Sequence, residues 1–284
     1  LLAENAGSFF MREIKFEDIS NAVFNLCREV CVSLPDDTLK MLECAREKEV
    51  SEYGKNSLDI ALENAKKARE NNMPACQDTG LVTVFAEVGQ EVHISGNFTE
   101  AVNDGVRRAY VPFRKSVLSP ITRVNTGDNT PAVIHTSLVE GENVRLTVAP
   151  KGFGSENKSR LKMLKPSDGV EGILDFVTET VSLAGADPCP PVILGVGIGG
   201  TMEKAALMAK HALAVSKNNK NPEIAALEKE ILERVNKLGI GPQGLGGRIT
   251  ALNVYIETFP THIAGLPVAV NVQCHCARHG EVIL

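Results

Sequence analysis

The segment Ala186-Asp187-Pro188-Cys189-Pro190-Pro191-Val192-Ile193-Leu194-Gly195-Val196-Gly197-Ile198-Gly199-Gly200-Thr201 decides how the rest of the chain is read. Three signals lie together in it. Cys189 stands between prolines, which stiffen the backbone on either side of it. Residues 192–196 are a short apolar run and read as a buried strand. A glycine-rich turn then opens a helix at Thr201, a residue type favoured as an N-cap. Such a turn aims backbone N–H groups and the positive end of a helix at one point, which suits an anion. A rigid thiolate beside an anion cradle suggests a metal centre that handles a small negatively charged molecule. The remaining segments are therefore read for further ligands.

Composition narrows the class. The chain has 284 residues, 43% hydrophobic and 23% charged, an ordinary soluble globular make-up with length for a sizeable core. Its formal net charge is -5 and no basic run stands out, so nucleic acid and anionic membrane are not expected partners. The longest apolar runs, near 191–199 and 263–272, are too short to span a bilayer. No signal-peptide pattern opens the sequence, and a cytoplasmic location is expected. Residues 1–10 precede Met11, which reads as a native start, and they are given no weight. Seven cysteines, an odd number in a chain of this kind, argue for metal binding or buried thiols over structural disulfides.

Periodicity predicts helices over 14–34, 36–52 and 56–72, the last starting near Ser57. Cys27 and Cys31 lie on the apolar face of the first, and core packing is preferred to a metal pair. Cys44 in the second is read the same way. Met73-Pro74-Ala75-Cys76-Gln77-Asp78-Thr79-Gly80 then forms a polar loop ahead of a strand over 81–88, with residues 90–95 hairpinned onto it. A helix over 97–115 starts near Asn97 or Thr99 and leads to Arg114, a candidate carboxylate fork. After the turn-rich loop 119–131 come strands over 132–139 and 143–149, the first holding His135 as an ordinary strand histidine. Pro150-Lys151-Gly152-Phe153-Gly154-Ser155-Glu156-Asn157-Lys158-Ser159 is either a second backbone nest for an anion or a plain flexible loop. Helices over 168–185, 201–217 and 222–238 and strands over 249–258 and 267–272 complete the pass. The fold class expected is α/β: a single compact mixed unit over 11–284, helical at its N-terminal portion, with functional loops at strand ends.

Gly195, Gly197 and Gly200 match the spacing G-x-G-x-x-G. A dinucleotide unit needs a strand directly after the helix, and here a second helix follows, so that reading is set aside.

Cys76, Cys189 and Cys274 each stand beside a strand end in a Pro-rich or polar loop. Zinc-ribbon C-x2-C pairs and ferredoxin spacing are absent, and Cys274-His275-Cys276 is only C-x-C. A Cys189–His262 nucleophile would leave two further thiols unexplained. Three dispersed thiolates could hold three corners of a [4Fe–4S] cluster and leave one iron open for Lewis-acid chemistry, with an acid–base group moving a proton on the adjacent carbon. That chemistry fits dehydration of a 2-hydroxy dicarboxylic acid. An electron-transfer module with a fully ligated cluster and a structural zinc protein remain as other classes.

The motifs Cys76-Gln77-Asp78-Thr79-Gly80, Lys151-Gly152-Phe153-Gly154-Ser155-Glu156-Asn157-Lys158, Asp187-Pro188-Cys189-Pro190-Pro191 with Gly197-Ile198-Gly199-Gly200-Thr201, and Cys274-His275-Cys276-Ala277-Arg278 resemble those of the alpha subunit, or N-terminal domain, of class I iron–sulfur fumarate hydratases and L(+)-tartrate dehydratases. The resemblance runs from about Met11 to the C-terminus. It implies a [4Fe–4S] cluster on Cys76, Cys189 and Cys274, with Cys276 as an alternative third ligand. It implies catalytic roles for Asp78 and His262, and substrate contacts from Gln77, Arg114 and Gly154. The implied reaction is reversible dehydration of (S)-malate to fumarate, with L(+)-tartrate to oxaloacetate as the alternative. It also implies a separate beta subunit, in an α2β2 assembly, that closes over the cluster and without which this chain is largely inactive.

Overall fold

A computed structural model describes residues 11–215 and 217–284. In chain order the elements begin with β1 (Arg12–Lys15), α1 (Phe16–Val32), α2 (Asp36–Lys48), α3 (Glu52–Glu70), β2 (Leu81–Gly89), β3 (Val92–Ser95) and α4 (Phe98–Ala109). They continue with β4 (Val133–Val139), β5 (Val144–Lys151), the single turn α5 (Phe153–Glu156), β6 (Arg160–Leu164) and α6 (Gly169–Ala184). The last are β7 (Val192–Gly199), α7 (Met202–Val215), α8 (Pro222–Asn236), β8 (Ala251–Phe259), β9 (Leu266–Gln273) and β10 (Gly280–Ile283). The class is mixed α/β, as the sequence predicts. Residues 1–10, and residue 216 of the helix expected over 201–217, lie outside the described residues.

The chain divides into two compact units. The first takes in residues up to 28, 82–148 and 281–284. It holds a parallel pair, β1 with β3, and a four-stranded sheet in the order β10-β5-β2-β4, in which β2 and β4 run parallel. Asn97 caps α4 by accepting the Glu100 amide at 3.0 Å. Gly105 allows α4 to touch α1: a Cβ there would lie 2.5 Å from the Ser20 carbonyl oxygen. His135 stacks on Phe85 with ring centroids 5.1 Å apart, as expected of a strand histidine. Three expectations need correction here. Residues 92–95 are not hairpinned onto β2; they pair in parallel with 12–15, residues the helical periodicity had claimed in part. The third helix starts at Glu52, because Ser51, not Ser57, accepts the Gly54 amide as its N-cap. Cys44 is exposed, since α2 turns Leu42 and Ala45 inward and leaves Cys44 outside, while Cys27 and Cys31 are buried as expected.

The second unit, residues 29–81 and 149–280, carries the four-stranded sheet β6-β9-β7-β8. β7 is buried along its length, parallel to β8 and antiparallel to β9. Its side chains alternate between two environments. Leu194, Val196 and Ile198 join a core with Ile173, Phe176 and Val177 of α6 and Ile231 and Val235 of α8. Fully burying each such side chain contributes about 1.5–3 kcal/mol.

Gly195 and Gly197 face the other way. A Cβ at either would lie 2.0 Å from a carbonyl oxygen of α7, that of Ala209 or Ala205. These glycines therefore serve helix-on-strand contact, which accounts for the G-x-G-x-x-G match without a dinucleotide. The strand parallel to β7 is reached only after both α7 and α8. Gly197→Ala is expected to cost about 2–3 kcal/mol by overpacking, read as a lower urea midpoint. A third layer, α2 and α3, packs Leu42, Ala45, Leu58, Ala65 and Ala68 with Ile249 and Cys276, and Cys76 and Cys274 lie against it.

Candidate metal centre

All the quoted motifs meet inside the second unit. The loop after α3 is fixed first. The Ala75 amide donates to the Cys31 carbonyl at 3.0 Å, and the Asn64 side-chain amide donates to the Ala75 carbonyl at 2.8 Å. With Ala75 held on both sides, Cys76 follows half-buried, 3.7 Å from the Oε1 of exposed Gln77. Asp78 accepts two backbone amides, Gly80 on Oδ1 at 3.0 Å and Phe153 on Oδ2 at 2.8 Å. Two glycines permit this approach. Gly80 has φ +85°, and a Cβ there would lie 2.9 Å from the Lys151 nitrogen. A Cβ on Gly152 would come within 3.2 Å of Asp78 Oδ2 and 3.7 Å of Arg278 Nη2.

The Cys189 loop is tied to the same place. Cys189 is exposed and has a left-handed φ of +53°, a conformation costly for a residue with a Cβ. Three partners hold it there. The Gln243 backbone amide donates to Pro190 O at 2.7 Å and its side-chain amide to the same oxygen at 3.1 Å. His275 Nδ1 lies 3.0 Å from Cys189 O and 3.3 Å from Gln243 Nε2. Lys158 pairs with Asp187, linking this loop to the segment 152–158.

Cys76 is the electrostatic neighbour shared by Cys189 and Cys274. Burial pushes the Cys189 thiol up and negative charge on Cys76 adds to it. Burial also pushes up Cys274, with Cys76 adding and Arg278 and Lys151 opposing. Cys276 is 5% exposed, and burial pushes its thiol up to about 12. Among the described residues no three His, Cys, Asp or Glu side chains are placed to hold one metal ion. A four-iron cluster is wider than one ion and takes thiolates standing further apart. Cys76 neighbours both other thiols, and two cations beside Cys274 could balance added negative charge, a donor chemistry compatible with such a cluster.

The other expected site residues are less gathered. Gly154 is exposed, and a Cβ there would meet only the Asp187 carbonyl oxygen, at 4.0 Å. His262 sits in the exposed turn 260–265 between β8 and β9, its Nδ1 accepting the Ala264 amide at 3.2 Å. That turn is moored by Thr261, whose hydroxyl donates to Gly200 O at 2.9 Å. No hydrogen bond joins His262 to Asp78 or to a cysteine among the described residues. Arg114 belongs to the first unit, beyond the end of α4, and is exposed.

Sequence reasoning missed a buried charge cluster behind the site. Lys151, 6% exposed, reaches Ser155 Oγ at 2.8 Å and Glu156 Oε2 at 3.3 Å. Lys210 of α7 pairs with the other oxygen, Oε1 of Glu156, and Asn271 Nδ2 donates to Oε2 at 3.0 Å. Burial pushes the Lys151 ammonium down to about 8, with Glu156 opposing. Lys210 directly follows Ala209 on an Ala-rich helix, a pattern that does not set it apart from a solvated lysine. Asp78→Asn keeps both amide acceptors' shape but trades an oxygen for an NH2 against an amide donor. It is expected to destabilise this loop by about 1–3 kcal/mol, read as a lower urea midpoint, because one backbone amide then faces an NH2.

Residues 20–283 match the family model for fumarate hydratase (Fumerase). The chain is 46% identical over 271 residues to the "Putative L(+)-tartrate dehydratase subunit alpha" of Methanocaldococcus jannaschii, covering 92% of this chain and 95% of that one. It is 33% identical over 274 residues to the L(+)-tartrate dehydratase subunit alpha of Escherichia coli O157:H7, covering 94% of this chain and 90% of the relative. With a match across nearly its whole length and motifs that converge in one unit, the chain belongs to the fumarate hydratase (Fumerase) family of hydro-lyases.

Proposed function

We propose that this chain is the alpha subunit of a [4Fe–4S]-dependent hydro-lyase that removes water from a 2-hydroxy dicarboxylic acid, with L(+)-tartrate giving oxaloacetate as the first reading. The observation that carries it is the shared neighbourhood of Cys76 with Cys189 and Cys274, beside an Asp78 held by two backbone amides. The names of the similar alpha subunits favour tartrate. The family description keeps malate and fumarate as the second reading.

Cys76, Cys189 and Cys274 would hold the cluster, which when bound supplies an open iron as Lewis acid for the substrate's hydroxyl. Asp78 accepts the Gly80 amide on one carboxylate oxygen and the Phe153 amide on the other. Fixed in this way, the carboxylate can hold a proton near the departing hydroxyl without reorienting. Gln77, Gly154 and His262 are proposed to take the substrate's carboxylates. The alpha-subunit names of the relatives support a separate beta subunit as partner. An α2β2 assembly is proposed.

The test is anaerobic reconstitution of the chain with its beta subunit, followed by assay and EPR with L-tartrate and with malate. About four irons per alpha chain, turnover of one acid and a spectrum changed by it are expected. A fully loaded complex that turns over neither acid and whose spectrum ignores both would overturn the hydro-lyase reading in favour of electron transfer.

A further inference from the structure

We propose that Glu156, clamped between Lys151 and Lys210, is a positioning residue that sets the Gly152–Glu156 turn and through it the orientation of Asp78. This rests on the reading of the second unit as the hydro-lyase site.

The chain of contacts is continuous. Asp78 Oδ2 is held by the Phe153 amide at 2.8 Å, so the carboxylate points where the turn lets it. That turn is too short to orient itself: α5 is four residues, Phe153–Glu156. Its bonds converge on Gly152 O, which accepts from the Glu156 amide, the Ser155 hydroxyl and Lys151 Nζ, each at 3.3 Å. Lys151 Nζ also donates to Ser155 Oγ at 2.8 Å. Lys151 can lie there buried because Glu156 Oε2 stands 3.3 Å away. Glu156 in turn is fixed from outside the turn. Its Oε1 pairs with Lys210 on α7. Its Oε2 accepts from Asn271 on β9, whose same amide nitrogen reaches Ser159 Oγ at 3.1 Å.

Position is therefore passed inward from rigid elements. α7 is seated on β7 through Gly195 and Gly197, and Asn271 lies opposite Gly195 in the same sheet. One carboxylate shared by two ammonium groups also leaves a surplus positive charge in the interior. Every contact of the cluster is to the turn or its neighbours; none needs the substrate to form.

The experiment uses the reconstituted alpha–beta complex carrying Lys210→Met, Lys210→Arg or Glu156→Gln. Lys210→Met leaves the Lys151–Glu156 pair intact and so serves if Glu156→Gln fails to fold. Backbone hydrogen exchange is followed in peptides covering 152–158 and, as a reference, 245–252. Lys210→Met is expected to speed exchange at least about tenfold in the first peptide and leave the second unchanged. Its kcat is expected to fall about tenfold or more with KM within about threefold, the pattern of a displaced reacting group rather than lost binding. Lys210→Arg is expected to restore both.

Unchanged exchange at 152–158 in Lys210→Met would overturn the proposal, as would faster exchange everywhere or the absence of rescue by arginine. If the wild-type complex turns over neither acid, the hydro-lyase reading falls, and the exchange measurement alone still decides the clamp.

Discussion

Cys189→Ser is expected to strip most of the iron from the reconstituted protein and lower activity by about 100-fold or more. Loss of an outer partner of a metal site already costs 10–100-fold, and a ligand costs at least as much. The same result is expected for Cys76→Ser and Cys274→Ser. Cys276→Ser is the informative control. Cys276 is buried with Ile249 and the α2–α3 layer, and packing is the role proposed for it. It should keep its iron and lose only a small amount of stability. Iron and sulfide analysis after anaerobic reconstitution reads all four variants. Full iron in Cys274→Ser and none in Cys276→Ser would exchange the two assignments.

Glu49→Ala is expected to cost about 3–5 kcal/mol, because it leaves the buried amide of Ile249 and the part-buried amides of Val50, Ser51 and Arg248 without an acceptor, at up to about 1–3 kcal/mol each. Glu49 is 2% exposed, yet it follows α2 in a connecting segment. Its Oε1 accepts the amides of Val50 at 2.7 Å, Ser51 at 2.9 Å and Arg248 at 2.9 Å, and its Oε2 accepts Ile249 at 2.8 Å. Gly247 lets the chain come this close, since a Cβ there would lie 2.7 Å from Glu49 Oε1. The residue thus anchors the segment 245–249, which follows Gln243 and so steadies the Cys189 loop.

Burial alone would raise the Glu49 carboxyl, but the amides of Ser51, Arg248, Ile249 and Val50 outweigh it and hold it below its ordinary value. A depressed carboxyl contributes stability that is complete above the unfolded pKa of about 4.3 and is lost as pH falls through the folded one. Urea midpoints at neutral pH and near pH 3.5 check this. The gap between wild type and Glu49→Gln should narrow on acidification. A gap that stays constant would show that the carboxylate's charge plays no part.

The cysteine motifs and the strands leading to them were legible because each carries its own local chemistry. A proline-flanked thiol, a glycine turn and an apolar run need no distant partner to be read. What stayed hidden depends on partners far along the chain. β3 was legible as a strand within 90–95, but its partner was not: β1 is four residues long and only its pairing with β3 makes it a strand. Gly195 and Gly197 gave the right local geometry and a wrong suggestion, since a contact with Ala205 and Ala209 leaves the same pattern as a phosphate turn. Arg114 was read as a candidate carboxylate fork and His262 as a possible partner of Cys189, and only their substrate roles came from the resemblance. His262 lies in an exposed turn and Arg114 in the first unit. Lys210 escaped notice because a lysine on a helix is usually solvated, and only the fold places it against Glu156.

The strand order β6-β9-β7-β8 carries a consequence for biosynthesis. β9 is the last of the four to leave the ribosome and is inserted between β6 and β7, which both wait for it. Until residues 266–273 emerge, the nascent chain shows two open edges and an unshielded apolar face, surfaces that invite chaperones and aggregation. Cys274 follows directly after that strand, so iron delivered earlier would meet only two of the three thiols. With the three proposed ligands, loading would wait until translation of this unit is finished, and expression at low temperature with slow synthesis is expected to raise the fraction of chains able to take up a cluster.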